Sequence, residues 1–245
     1  MEPRRLGIGI GIATLLFVGG TAAWAQEFGY SGALGPAHWG ALSPAWATCS
    51  TGREQSPVDV GPLTLLTALA PVLRLDYGDT HGQIFNNGHT VEVETEGEND
   101  LVLQGVRYRL IQFHFHSPSE HTFNGRGADM ELHLVHRNAA GALAVIGVLM
   151  RRAPTSGPLA QVFDHLPDEG EIDVREELPS PFNPRTFLPA SLAHVRFGGS
   201  LTTPPCTEGV RWMVLLHPIA ISDEHMARFN QLIQFNARPV QRRRP

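Results

Sequence analysis

The sequence predicts one mainly β domain of the α+β class over residues 26–245, with short helices at its surface. Short runs of alternating apolar and polar residues recur along the chain, and only two stretches carry helix signals. The 25 glycines and 19 prolines are scattered, so loops are frequent, and no internal repeat or low-complexity linker divides the chain. Apolar residues make up 42% of the sequence, which is enough for a sizeable core.

Five segments are predicted to be strands because their side chains alternate with a period of two. They are residues 91–95, 112–116, 131–136, 144–150 and 211–216. Two helices are predicted. Residues 158–166 form a short one, and a second begins after Ser222, which is a suitable N-cap before two acidic residues, and runs through Phe229 towards Leu232.

The first 25 residues have the pattern of a secretory signal peptide. Arg4 and Arg5 precede an apolar run over residues 6–20, and an Ala-Trp-Ala sequence at 23–25 fits the rule for cleavage. An uncleaved membrane anchor is the alternative, although the run is short for a membrane span. We therefore expect a periplasmic or secreted protein that is free of the membrane after cleavage.

Charge and composition exclude several function classes. The formal net charge is −5, and loss of the leader would make it more negative, which argues against nucleic acid or an anionic membrane as a partner. The chain contains no lysine, so Schiff-base lysine chemistry and the phosphate-binding P-loop are excluded.

The two cysteines, Cys49 and Cys206, are predicted to form one disulfide, as is usual in an exported protein. Two free buried thiols are the alternative. In the chain-entropy model a loop of this length would contribute about 4–5 kcal/mol to the free energy of unfolding.

Histidines on two of the predicted strands indicate a metal site. His114 and His116 share one face of the first strand, and His133 would approach from a neighbouring strand. Three histidines with an open fourth position are typical of catalytic zinc. Gln112 and Glu131 each lie two residues before a ligand on the same face, where they can support it. His136 lies on the opposite face, and for it and for His121 we expect structural roles.

These residues resemble the α-class carbonic anhydrases. The motifs are residues 55–59 (QSPVD), 87–89 (NGH), 112–116 (QFHFH) with 119–122 (SEHT), 131–136 (ELHLVH) and 199–206 (GSLTTPPC). The resemblance extends over residues 28–240, and its C-terminal pattern is brief here (NARPV, 236–240). It implies a central twisted, mostly antiparallel sheet of about ten strands, with zinc at the bottom of a conical cleft.

The resemblance also implies roles for individual residues in the reversible hydration of CO2 to bicarbonate. Zinc would be held by His114, His116 and His133, and His89 would export the proton. Thr202 would accept a hydrogen bond from zinc-bound hydroxide and donate to Glu120. The substrate pocket would comprise Val135, Val145, Leu201, Thr203, Val210 and Trp212. Weak esterase activity is expected as a side reaction, and the bacterial members suggest a homodimer.

One departure concerns Glu92, which occupies a cleft position where the family usually has a neutral amide. A carboxylate there would alter the water chain or raise the pKa of His89. Two other function classes remain open. A zinc-free binding module of the same fold would have lost a ligand, and none is lost here. A copper–zinc superoxide dismutase would need more ligand histidines and a bridging aspartate.

Overall fold

The computed structural model describes residues 27–61 and 73–242. The predicted signal peptide lies outside these residues. The strands are β1 Arg74–Asp76, β2 Gly82–Asn86, β3 Val91–Thr95, β4 Asp100–Leu103, β5 Val106–His116, β6 Met130–Arg137, β7 Leu143–Arg152, β8 Glu176–Glu177, β9 His194–Ser200, β10 Glu208–Leu215 and β11 Ile219–Ile221. The α-helices are α1 Trp39–Leu42, α2 Thr48–Thr51, α3 Ala160–Phe163 and α4 Asp223–Leu232.

The strands form one 11-stranded sheet in the order β8-β2-β3-β5-β6-β7-β10-β9, with β4 beside β5, β1 beside β4, and β11 beside β7. Most neighbours are antiparallel, whereas β7 runs parallel to both β10 and β11. The predicted fold class, a mainly β protein with short helices around one large sheet, is confirmed.

The sheet separates a large apolar core from the face that carries the histidines. Phe113 and Phe115 of β5 point into the core, together with Leu132 and Leu134 of β6. Each fully buried side chain of this size contributes about 1.5–3 kcal/mol through burial. The intervening residues of both strands therefore face the other side, as the alternation predicts.

His136 of β6 also lies on the core side and is fully buried. Its Nδ1 lies 3.3 Å from the carbonyl oxygen of Ala144, and its Nε2 contacts the Tyr77 hydroxyl. These contacts are those of a hydrogen-bonded structural histidine, which is the role expected for it.

The two predicted helices differ in outcome. The first is predicted over residues 158–166 and is shorter in the structure. A 3-10 turn at Gly157–Leu159 leads directly into α3, which ends at Phe163. Pro167 follows closely, and proline disfavours a helical conformation in the residue before it. The second is α4, where the Ser222 side chain accepts a hydrogen bond from the His225 N–H. Within the described ranges, no helix combines the length and apolarity needed to cross a membrane.

Candidate active site

Three imidazoles meet on the face of the sheet where β5 and β6 lie side by side. His114 and His116 alternate along β5, and His133 lies directly opposite His114 on β6. The ring centroid of His114 is 5.0 Å from that of His116 and 5.2 Å from that of His133, and the other two are 4.5 Å apart. One nitrogen of each ring lies within 4.8 Å of the others. The structure thus brings together the three histidines that the sequence singled out.

Two of the imidazoles are oriented by the side chains predicted to support them. His114 places Nδ1 2.8 Å from Oε1 of Gln112, and His133 places Nε2 2.9 Å from Oε1 of Glu131. Each acceptor occupies one ring nitrogen and so sets the ring orientation. The nitrogens left for a metal are Nε2 of His114 and Nδ1 of His133.

The third imidazole is supported by a residue to which the sequence analysis gave no role. His116 places Nδ1 2.7 Å from the main-chain oxygen of Asn236, which is 120 residues away along the chain. Its Nε2 is buried and has no hydrogen-bond partner. A buried ring nitrogen without a partner is costly unless a ligand takes it. Three converging imidazole nitrogens form a donor set that suits zinc.

Burial keeps the three rings neutral, the form in which histidine binds a metal. It lowers the pKa of His116 to about 4, and it holds that of His114 well below its ordinary value, with further lowering from the neighbouring histidines. The pKa of His133 is lowered by burial as well, although Glu131 opposes the shift.

Glu131 is the centre of a fully buried network. Its carboxylate lies 2.7 Å from Nδ1 of His121 and 2.9 Å from Nε2 of His133. It also accepts the main-chain N–H groups of Glu120 and His121 at 2.9 and 2.8 Å. Burial alone would raise the pKa of Glu131, but His121 and His133 hold it well below its ordinary value. His121 therefore supports the site indirectly, in agreement with the structural role expected for it.

Glu120 and Thr202, predicted to work together, are both buried beside the imidazoles. Oε1 of Glu120 accepts the main-chain N–H of Arg238 at 2.9 Å, and Oε2 lies 3.5 Å from Nε2 of His116. Burial raises the pKa of Glu120 to about 7, against the lowering effects of His133 and of the nearby Thr202 side chain. A cation bound by the imidazoles would favour the ionised carboxylate.

An apolar wall flanks the histidines. It consists of Val135, Val145, Val210 and Trp212, with Leu201 packed against them. The Trp212 ring centroid is 4.9 Å from that of His133, and the indole N–H donates to the Ser200 carbonyl at 3.0 Å. The five apolar residues predicted to form the substrate pocket therefore lie in one cluster beside the imidazoles.

A disulfide anchors the loop over residues 201–207 that carries Thr202 and Thr203. Cys206, within this loop, is bonded to Cys49 of α2, which confirms the predicted pairing. The Cys206 N–H donates to the Thr203 carbonyl at 2.9 Å, and the N–H of Leu201 donates to the carbonyl of Thr207 at 3.0 Å, which closes the loop.

His89 is half-buried in the turn between β2 and β3. Its ring stacks on that of Phe28, with centroids 3.8 Å apart and planes 12° apart. Oδ1 of Asn87 accepts the main-chain N–H groups of His89 and Thr90 at 3.0 and 2.9 Å, which shapes the turn. Burial lowers the pKa of His89, and Glu27 opposes this. The sequence identified the turn and its histidine but not the ring beneath it.

Glu92 lies on β3 directly opposite His114 of β5, so its side chain is on the site face. Its Oε2 accepts a hydrogen bond from the Asn87 amide at 3.2 Å. Burial, assisted by the nearby charge of Glu94, raises the pKa of Glu92 to about 7. Glu92, which departs from the family pattern, therefore lies beside the candidate metal ligand His114. Through Asn87 it also contacts the turn that carries His89.

A second cluster resembles a nucleophilic triad but has a different use. Nδ1 of His225 lies 2.7 Å from Oγ of Ser156, and its Nε2 lies 2.9 Å from Asp164. Ser156 is only 4% exposed, and its Oγ already accepts the Ser222 N–H at 2.9 Å. The cluster therefore links the start of α4 to the loop before α3, and its hydroxyl is closed to substrate.

Comparison with known proteins agrees with this geometry. Residues 34–243 match the family model of the eukaryotic-type carbonic anhydrases. A carbonic anhydrase from Pectobacterium atrosepticum is 40% identical over 222 residues, covering 90% of this chain and 89% of the relative. One from a Nostoc species is 40% identical over 218 residues, covering 88% and 82%.

Among solved structures, the α-carbonic anhydrase of Thermovibrio ammonificans in complex with sulfanilamide superimposes with a TM-score of 0.85 and 38% identity, over 89% of this chain and 96% of that one. The shared sequence, sheet and histidine arrangement lead to one conclusion. This chain belongs to the α, or eukaryotic-type, carbonic anhydrase family.

Proposed function

We propose that this protein catalyses the reversible hydration of CO2 to bicarbonate and a proton at the three-histidine site. The observation that carries the proposal is the convergence of His114, His116 and His133, each with its second ring nitrogen held by an acceptor. Membership of the carbonic anhydrase family supports the reaction class.

Zinc is the metal that we propose for these ligands, because three neutral imidazoles with an open position are its usual catalytic set. Zinc at this position would lower the pKa of a water molecule to roughly 7 and so supply the nucleophile, an effect for which carbonic anhydrase is itself the reference case. The protein's contribution is to hold the three nitrogens uncharged and correctly aimed.

Glu120 and Thr202 orient the reacting oxygen. A hydroxyl has one hydrogen to donate, and we propose that Thr202 directs it to the Glu120 carboxylate, whose Oε2 is buried without another hydrogen-bond partner. Thr202 can therefore only accept a hydrogen bond from the nucleophile. The nucleophile must point its hydrogen at Thr202, and this selects one orientation for it. Orientation of this kind lowers a barrier without new binding energy.

The apolar wall is the proposed binding surface for CO2. CO2 has no charge and no net dipole, so its binding depends little on polar partners and is favoured by a pocket from which water is excluded. Val135 is suited to this role because it shares the site face of β6 with His133. We propose Thr203, in the loop over residues 201–207, as the polar limit of the pocket.

His89 is the proposed proton shuttle, and its replacement by alanine tests that role. We expect His89→Ala to lower kcat on the order of 10²-fold in dilute buffer and to leave kcat/KM little changed. Since burial lowers the pKa of His89, the wild-type kcat should fall with acid at a pH below the ordinary histidine value of about 6.5. An equal loss of kcat and kcat/KM would contradict the shuttle role.

The proposed function is tested by stopped-flow measurement of CO2 hydration, with metal content determined on the same sample. Rapid hydration by zinc-loaded protein is the expected result. Weak hydrolysis of activated esters should accompany it, and Ser156→Ala should leave that hydrolysis unchanged. Zinc-loaded protein without hydration would contradict the enzyme role, and protein that neither retains added zinc nor hydrates CO2 would favour a zinc-free binding module.

We also propose that residues 1–25 are removed on export to the periplasm or the exterior. The Cys49–Cys206 disulfide supports this location, because such bonds persist in oxidising compartments.

A further inference from the structure

Asn236, in the irregular segment after α4, connects two parts of the site that are distant in sequence. It is 1% exposed. Its side-chain Nδ2 donates to the carbonyl oxygens of Phe115 and His89 at 2.9 and 3.1 Å, and its Oδ1 accepts the Ser117 N–H at 2.7 Å. Both amide hydrogens and one acceptor position are therefore used, separately from the main-chain oxygen that orients His116.

The amide links the end of β5, which bears the metal ligands, to the turn that bears His89. The Phe115 carbonyl, next to His116 in the chain, also accepts the Thr90 hydroxyl at 2.5 Å. Two hydrogen bonds thus converge on this carbonyl, one from Asn236 and one from the turn itself. The turn is therefore attached to the ligand strand at two successive residues. Thr90 is bonded to the strand directly, and His89 is bonded to it through the Asn236 amide.

We infer that Asn236 is a positioning residue for proton transfer, because its side-chain amide holds the backbone of His89 in a defined place relative to the ligand strand. The inference rests on the proposed function, in which His89 carries the proton. Small displacements of a transferring group are costly in rate. The Phe28 ring restrains the imidazole itself, whereas Asn236 restrains the main chain from which it projects.

The Asn236→Asp variant separates this role from support of the metal. Aspartate has the same shape and keeps an acceptor for Ser117, and the main-chain oxygen on His116 is retained. The substitution replaces the amide group that donates with an oxygen that faces the carbonyls of Phe115 and His89, so both hydrogen bonds are lost.

Asn236→Ala is a second variant, which removes the amide without adding an oxygen and serves if the aspartate variant folds poorly. Asn99→Asp is the matched control, since Asn99 is 2% exposed and hydrogen-bonded to the Gly78 N–H.

The experiment compares the zinc-loaded variants in stopped-flow CO2 hydration in dilute buffer. Since proton export follows bicarbonate release, the loss should appear in kcat and not in kcat/KM. We expect Asn236→Asp to lower kcat about two- to tenfold, the range that corresponds to loss of the one hydrogen bond that holds the His89 carbonyl. Added imidazole buffer should restore kcat, zinc affinity should stay within about twofold, and Asn99→Asp should leave kcat unchanged.

A double-mutant cycle with His89→Ala decides whether the effect passes through the shuttle. In the His89→Ala background, Asn236→Asp should cause no further loss of kcat. A further loss of the same size, or an equal fall in kcat and kcat/KM, would overturn the inference. NMR titration of the His89 ring gives a readout independent of turnover. A changed His89 signal in Asn236→Asp supports the link even if hydration is absent, and an unchanged signal contradicts it.

Discussion

Replacement of His116 by alanine is expected to abolish zinc binding and CO2 hydration together. His116 offers a buried Nε2 without a hydrogen-bond partner, so its removal deletes one of three ligands. Gln112→Ala, which removes only the acceptor behind His114, should weaken zinc affinity by a smaller factor of about 10–100. Metal content after dialysis, zinc titration and stopped-flow hydration measure this series.

His136→Ala is the matched control for that series. His136 is a buried histidine of the neighbouring strand β6, but its side chain faces the core. We expect this variant to lose stability and to keep its zinc and its kcat/KM when folded. Retention of zinc and activity by His116→Ala, or loss of zinc from folded His136→Ala, would place the metal elsewhere.

Removal of the Cys49–Cys206 disulfide by paired alanine substitution should lower the free energy of unfolding by about 4–5 kcal/mol. The bond joins residues 157 positions apart, so its loss greatly increases the conformational entropy of the unfolded chain. The folded variant should also lose kcat/KM, because the bond anchors the loop that holds Thr202. Guanidinium unfolding and stopped-flow hydration measure the two effects.

The control for the disulfide is the wild-type protein under a strong thiol reductant. It should reproduce both the lower stability and the lower kcat/KM of the paired variant, while the paired variant itself should not respond to reductant. Undiminished kcat/KM in the folded paired variant would show that the loop around Thr202 keeps its shape without the bond, supported by the hydrogen bonds between Leu201 and Thr207 and between Thr203 and Cys206.

The alternation of residues 112–116 determined that His114 and His116 share a face, and the same rule placed Gln112 and Glu131 behind their ligands. These are local consequences of a strand's period of two, so they hold wherever the strand lies in the sheet. The family motifs supplied what alternation could not, namely that Glu120 and Thr202 meet beside the histidines. Without that resemblance, each would look like an ordinary loop residue.

Tertiary structure alone revealed the support from distant segments. Asn236 reaches His116 across 120 positions, and Phe28 lies 61 positions before the histidine on which it stacks. No local pattern marks either contact, because each depends on where a segment without regular secondary structure passes over the sheet. The sequence by itself thus singled out the side chains that we propose carry the chemistry. Long-range packing decided what orients them, since the path of such a segment is set by contacts with the whole domain and not by its neighbours in the chain.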